Sequence, residues 1–384
     1  MMDPLIQRLR NEAEAFDKAR AQKLDINFKY KKDGIVRDVL NPPDYEHADV
    51  WGHDYADDPV QPLQAGEAWN AGRRQTASGV AYSFDDKGRP LNPYMNTGLN
   101  GRGCLGQFGP NHAVDNGVIV VRPDAQGVMT AYALGILRKY DGNAPAFSGG
   151  FAKFQKDAQG QYIIDHKAII QTRVEEFFEE MVSGSITLLP EYQVQLDTAT
   201  NALLAALLSA RKGVPLSADE QIHVRTETET ALKLAQVEAK DPAFMQRLTD
   251  LVAQGHECYA GPVLCDNRNT NNAWMETRLS WFLMDDQIWA DIKGANPVFD
   301  YQLSAGDDAS GVVYHRLDAD LVKNGYASHG ALFAIMMASY LEYAEKNAVF
   351  VPPSVVAQAE DMASFLENAV RPAPQPISAP KLTP

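Results

Sequence analysis

Nine residues, Asn269-Thr270-Asn271-Asn272-Ala273-Trp274-Met275-Glu276-Thr277, constrain this chain more than any other stretch. They set a run of polar side chains, a tryptophan and a carboxylate after one strand-like segment, 258–264, and into the start of the next, 273–284. An unpaired polar group in a buried strand costs about 1–3 kcal/mol. The fold must therefore find partners for Asn269, Asn271, Asn272 and Glu276, or keep them wet. A site that binds something polar supplies such partners, and a surface loop running into an edge strand avoids the need for them. The sequence leaves both readings open.

With 384 residues and 45% hydrophobic content, the chain has enough apolar surface for two domains, or for one domain with a large insertion. Thirty-five Lys and Arg against fifty Asp and Glu give a net charge of -15, which argues against nucleic acid or an anionic membrane as a partner. An acidic protein that handles a small anion needs a bound cation to do so. Cys104, Cys258 and Cys265 lack zinc-type spacing, which points to a reducing compartment. The first 22 residues mix acids and bases like an amphipathic helix, without the apolar core of a signal peptide, so the expected location is the cytosol. The most apolar helical run, 199–210, is far shorter than the ~20 residues of a membrane span.

Along the chain, a helix is predicted to about residue 22, then a strand pair turning at Lys32-Asp33-Gly34 and closed by Pro42-Pro43. Residues 45–100 read as mostly loop. Strands are predicted at 117–121 and 131–137 around the turn Asp124-Ala125-Gln126-Gly127, followed by Gly149-Gly150 and a helix over 165–182. Three helices follow: 193–212, one opened by the capping-box residues Ser217 and Glu220, and one from Asp241-Pro242 to Gly255. Strand character returns at 258–264, 273–284 and 311–317, and a helix runs over 329–347. The proline-rich tail, 371–384, reads as disordered. No internal repeat is present.

On the 165–182 helix, Ile170, Val174, Phe177 and Met181 form one apolar stripe. Glu176, Glu179 and Glu180 fall within an arc of about 100° on the other side. Like charges so placed repel unless a cation lies between them. Oxygen-only ligands suit Mg²⁺ or Mn²⁺, whereas the plain alternative is a solvated acidic helix face.

Four segments, in order, resemble the ADP-ribose pyrophosphatase branch of the Nudix hydrolase superfamily. That branch includes the mitochondrial-type pyrophosphatases and the Nudix-like domain of ADP-ribose-gated melastatin-type channels. The segments are Gly101-Arg102-Gly103-Cys104-Leu105-Gly106-Gln107-Phe108-Gly109-Pro110-Asn111-His112-Ala113; Gly149-Gly150 with the Glu helix; Arg268 through Thr277; and Ala305-Gly306-Asp307-Asp308-Ala309 with Tyr326-Ala327-Ser328-His329. Glu176-Phe177-Phe178-Glu179-Glu180 matches the centre of the Nudix signature. Glu175 stands where Arg is usual and Val182 where Gly is usual, although Arg173 could reach the space of the missing Arg. The stretch between Gly150 and the helix is longer than the signature allows, and the first signature Glu has no counterpart near Lys156.

The resemblance implies an α+β fold, a Nudix α/β/α sandwich with a mixed sheet. It divides the chain into an N-terminal β-rich subdomain (1–100), two core parts (101–185 and 256–347), a helical insertion (186–255) and a C-terminal remnant of helix with a disordered tail (348–384). It further implies hydrolysis of ADP-ribose to AMP and ribose 5-phosphate, with Glu176, Glu179 and Glu180 as metal ligands for Mg²⁺ or Mn²⁺. Glu179 and Glu180 are the first candidates for general base, and Glu276, Asp307 and Asp308 are alternatives. Expected substrate contacts are Arg102, Asn111, Arg138, Arg268, Asn272, Trp274, Glu276, Asp307, Asp308, Tyr326 and Ser328. For each arginine a surface ion pair is the plain alternative, and for Trp274 it is core packing. His112 and His329 sit in matching motifs, but a lone histidine is more often structural, so neither is assigned to catalysis. Binding of ADP-ribose without hydrolysis, or hydrolysis of another nucleoside diphosphate, remains open. The insertion, longer than its counterpart in the pyrophosphatases, could pack on the core, serve a homo-oligomer interface or lid the site.

Overall fold

The computed structural model describes residues 2–25, 27–50, 75–139, 141–152, 155–156, 162–163, 165–211, 213–294, 298–306 and 309–370. Helix α1 (Asp3–Ala21) carries proline in its first turn and buries Ile6, Leu9, Ala13 and Phe16 along one stripe. Where the sequence predicts a strand pair, the chain forms a short helix instead, α2 (Phe28–Lys32). The Asn27 side chain accepts the Lys29 N–H at 2.9 Å, and Gly34 turns the chain away at φ 73°. Strand β1 (Asp44–Glu46) pairs in parallel with β2 (Asn100–Gly103). Between them, residues 75–99 carry little regular structure, as their composition predicts.

The central sheet begins with β3 (Gly109–Pro123), β4 (Met129–Arg138), β5 (Ala144–Ala146) and β6 (Ser148–Phe151), and the short pair β7 (Gln155–Lys156) and β8 (Tyr162–Ile163) follows. Next come helices α3 (His166–Met181), α4 (Pro190–Ala210), α5 (Ala218–Lys240) and α6 (Pro242–Ala253). Strands β9 (His256–Pro262) and β10 (Ala273–Leu283), helix α7 (Asp286–Lys293), strand β11 (Ala309–Arg316) and helices α8 (Ala319–Asn324), α9 (His329–Lys346) and α10 (Pro353–Val370) complete the order. The sheet runs β11-β4-β3-β10-β9, with β5 on β4 and β6 on β3. Within this sheet, among the described residues, only β3 and β10 pair in parallel, so the sheet is mixed.

Alternation along the strands sorts the core into two layers. Ile119, Ala131, Ala133, Leu279 and Trp281 face a cluster built with α1, α8, α9 and α10. Val118, Val120, Leu134, Ile136 and Phe282 face the other cluster, with α3, α6 and α7. The result is a three-layer α/β/α sandwich. Helix α9 is buried nearly all round because it lies between the sheet and α1.

Helix α10 is more than the remnant the sequence reading expects. Val355, Ala359, Met362, Ala363 and Leu366 bury one face of it. Gln358 also completes the β4 ladder where β11 has ended: its amide accepts the Ala131 N–H at 2.9 Å and donates to Ala131 O at 3.0 Å and Leu317 O at 3.1 Å. Residues 371–384 lie outside the described residues. Among the described residues, no helix is long and apolar enough to cross a membrane.

Candidate active site

Helix α3 is fixed at both ends. Asp165 caps it by accepting the Ala168 N–H at 2.6 Å. Its last turn is tied to the 304–306 loop: Ser304 N–H donates to Met181 O at 2.8 Å and Gly306 N–H to Glu180 O at 3.2 Å, while the Ser183 hydroxyl donates to Glu179 O at 2.6 Å. A β-carbon at Gly306 would collide with the Glu179 carbonyl, so this close approach needs glycine. The helix is more enclosed than its stripe predicts. Val174, Phe177 and Met181 are buried, but so are Thr172, Arg173, Phe178 and Glu180.

Glu176, Glu179 and Glu180 all line one cavity of about 350 Å³. Gly149-Gly150, Arg138, Asp115, Phe147, Asp266, Arg268, Met275, Thr277, Tyr326 and His329 share its wall, and Glu227 and Thr230 reach it from α5. Glu180 is 4% exposed and accepts the Gly149 N–H at 2.8 Å, with the Arg138 guanidinium 3.8 Å from its other oxygen. A β-carbon on Gly150 would strike the Glu176 carboxylate, so the paired glycines let α3 close onto β6. Arg138 also lies 5.4 Å from the centre of the Tyr326 ring.

Beside these groups, Arg268 holds Asp266 through two hydrogen bonds of 2.9 and 2.6 Å. Burial alone would raise the Asp266 carboxyl, but Arg268 keeps it below the usual carboxylate range. Burial pushes the Tyr326 phenol up to about 12, and Asp266 adds to that rise. His329 accepts the Phe147 N–H at Nδ1, 3.0 Å away, which leaves Nε2 to carry the proton 4.0 Å from Asp115. Burial holds that imidazole below its ordinary pKa, against the pull of Asp115. Thr277 donates to Asp115 at 2.6 Å.

Six carboxyl groups, those of Asp115, Glu176, Glu179, Glu180, Glu227 and Asp266, meet two guanidiniums in this wall. A diphosphate entering such a cavity needs an added cation. Among the described residues, no three His, Cys, Asp or Glu side chains gather as a cation-holding group. The all-oxygen donor set fits a hydrated Mg²⁺ or Mn²⁺ held by one or two carboxylates and completed by water and phosphate oxygens, and it does not fit a three-ligand cage.

The polar segment of β10 does something else. Along the strand, Met275 and Thr277 face the cavity, so Trp274 and Glu276 face away from it. The Glu276 carboxylate accepts hydrogen bonds from the Ala77 N–H, from the Tyr94 hydroxyl at 3.0 Å and from the Trp274 indole at 2.9 Å, and burial raises its pKa. Tyr82 packs edge-on against Trp274. Asn272 accepts from Gly101 N–H at 2.9 Å and donates to Pro90 O at 2.9 Å, while Asn271 accepts from Thr97 N–H at 2.7 Å. Asn269 bridges Met275 N–H and Val263 O. The partners this segment requires are thus its own chain, and it latches residues 77–101 onto the core.

The other expected contacts divide in the same way. Arg138, Arg268 and Tyr326 line the cavity. Arg102 is fully buried and pairs with Glu46 at 3.1 Å and Gly106 O at 2.9 Å. Asn111 bonds within its own turn, to Gln107 and Gly109. Ser328 donates to Asp17 at 2.9 Å and accepts from Cys265 N–H, joining α1 to the loop before α9. Asp307 and Asp308 lie outside the described residues. Asp115, Asp266 and Thr277 escape the sequence reading, although an aspartate inside the apolar strand β3 is a signal that could have found the first.

Residues 35–109 match the family model described as NUDT9-like, N-terminal domain. A Caenorhabditis elegans protein named as nudix hydrolase 6 is 29% identical over 304 residues, covering 78% of this chain and 84% of its own length. The transient receptor potential cation channel subfamily M member-like 2 of Nematostella vectensis is 30% identical over 63% of this chain but 11% of its own. The mitochondrial ADP-ribose pyrophosphatase of Rattus norvegicus is 25% identical over 65% of this chain and 54% of its own, so the match spans about half of that enzyme. A solved mutT/nudix family protein from Listeria innocua superposes at 12% identity over 61% of this chain and 95% of its own, with a TM-score of 0.29, too loose to weigh. With the Glu helix, the paired glycines and the mixed sheet in place, the chain is similar to Nudix hydrolases over most of its length, and its residues 35–109 are similar to the NUDT9-like N-terminal domain.

Proposed function

We propose that this protein is a Nudix hydrolase that cleaves the diphosphate of ADP-ribose, giving AMP and ribose 5-phosphate, in a reaction that depends on Mg²⁺ or Mn²⁺. The observation that carries this reading is the cavity in which the α3 carboxylates meet Arg138, Arg268 and Tyr326. Arg138 and Arg268 are the fixed cations for the phosphate oxygens, and Tyr326 offers an aromatic face to the adenine or a ribose. One or two of Glu176, Glu179 and Glu180 would hold the divalent ion, which when bound offsets the charge of the diphosphate and acidifies a water. Glu179 is the stronger candidate for the base, because Glu180 already accepts the Gly149 N–H. Glu276 is set aside as a base, since it faces the other side of β10 and is occupied by three donors.

The test is AMP release from ADP-ribose with Mg²⁺ or Mn²⁺, by the wild type and by the double variant Glu179→Gln/Glu180→Gln. The wild type should turn over and the folded double variant should not. Equal turnover by both would refute the metal assignment.

A second reading, binding of ADP-ribose without cleavage, draws on two departures from the Nudix signature, Glu175 for Arg and Val182 for Gly. Arg173 does not restore the missing group, because it is buried and its guanidinium donates to Arg278 O. Saturable binding in calorimetry with no AMP over hours would favour this second reading.

A further inference from the structure

The helical insertion reaches the cavity through one helix. Glu227 and Thr230 of α5 line it, three residues apart and so on one face. Thr230 is 4% exposed, whereas the Glu227 side chain is 47% exposed and sits 3.2 Å from His223 one turn earlier. The pair therefore runs from the inner wall to the rim. Leu234 and Val237, further along α5, join the core layer that holds Phe177 and Phe178 of α3, so packing fixes where this face points. The capping box at Ser217 and Glu220 secures the start of the helix.

The chemistry of this face differs from that of the arginines that share the cavity. Arg138 and Arg268, the groups suited to phosphate, come from β4 and from the turn before β10. The insertion offers a carboxylate and a hydroxyl. A carboxylate accepts hydrogen bonds from sugar hydroxyls and repels a phosphate placed in the same spot. Discrimination of this kind is large when a polar group is built to meet a hydroxyl.

We propose that α5 is the specificity wall of the cavity, with Glu227 and Thr230 hydrogen-bonding the uncharged, hydroxyl-bearing group at the rim end of the substrate and Glu227 rejecting a substrate that carries a phosphate there. This rests on the reading that a nucleoside diphosphate sugar occupies the cavity. The insertion then selects among such compounds, while α3 and the arginines act on the diphosphate they share.

The experiment compares ADP-ribose with ADP-ribose phosphorylated on its terminal ribose, using the full-length wild type, Glu227→Gln, Glu227→Arg and Thr230→Val. Glu227→Gln should raise KM for ADP-ribose about tenfold and leave kcat within about twofold. Thr230→Val should move KM in the same direction by a smaller factor. Glu227→Arg should shift the ratio of kcat/KM toward the phosphorylated compound by about a hundredfold. If the wild type binds without turnover, the same ratios are read in Kd by calorimetry. A ratio unchanged in both Glu227 variants, or an equal fall on both compounds, overturns the proposal and leaves the hydrolase reading standing. A wild type that neither cleaves nor binds ADP-ribose removes that reading, and this inference with it.

Discussion

The last turn of α3 and the Asn269–Glu276 segment are both dense in polar side chains, yet the molecule uses them in opposite ways. In the Asn segment Asn271, Asn272 and Glu276 close on backbone groups of their own chain, at Thr97, Gly101, Pro90 and Ala77. In α3, three carboxylates line a cavity beside two arginines. Polarity alone therefore does not mark a site. What separates the two is whether the polar groups are turned inward onto the fold or line a cavity.

The largest contrast is expected from Glu180→Gln. The amide keeps an oxygen for the Gly149 N–H, so the melting temperature should stay close to that of the wild type. Through loss of a metal ligand, kcat/KM should fall by about 10²–10⁴, as measured by AMP release. Asn272→Ala should do the reverse. Leaving the Gly101 N–H and Pro90 carbonyl without their partner should cost about 2–3 kcal/mol in urea unfolding, while the folded fraction keeps its kcat/KM within about twofold. Loss of activity without loss of stability in Asn272→Ala would break the distinction.

A smaller effect is expected from Arg138→Met, which should raise KM about tenfold, the scale of one charge-assisted hydrogen bond, with little change in unfolding. The smallest lies in pH. Burial depresses the His329 pKa in the folded state, so the unfolded chain binds the proton more readily in the window below the ordinary histidine value. Stability contributed by neutral His329 is present above that value and lost as pH falls toward the lowered one. His329→Gln should flatten that part of the stability profile, and an unchanged slope would count against a buried neutral imidazole.

Much of the layout was legible before the fold. The Ser217 capping box, the 241–255 helix and the alternating strands all followed from local signals that tertiary packing reinforces. Two elements were not. Around Lys32-Asp33-Gly34 the apolar alternation suggests strands, but the Asn27 cap decides for a helix turn. Helix α10 was obscured by the proline-rich tail beyond it, although Val355, Ala359, Met362 and Leu366 have helical spacing. Of the proposed site, the α3 carboxylates, Arg138, Arg268 and Tyr326 were brought together by the fold. Trp274, Glu276, Asn272, Asn111, Arg102 and Ser328 were placed elsewhere, because one residue of register on β10, or one buried ion pair, sends a side chain to the other face.

Hydrogen exchange with and without ADP-ribose and Mg²⁺ tests the central claim most directly. Added protection should concentrate at residues 149–150, 176–180 and 326–329, with 269–276 unchanged. Protection centred on 269–276, with none along α3, would contradict it.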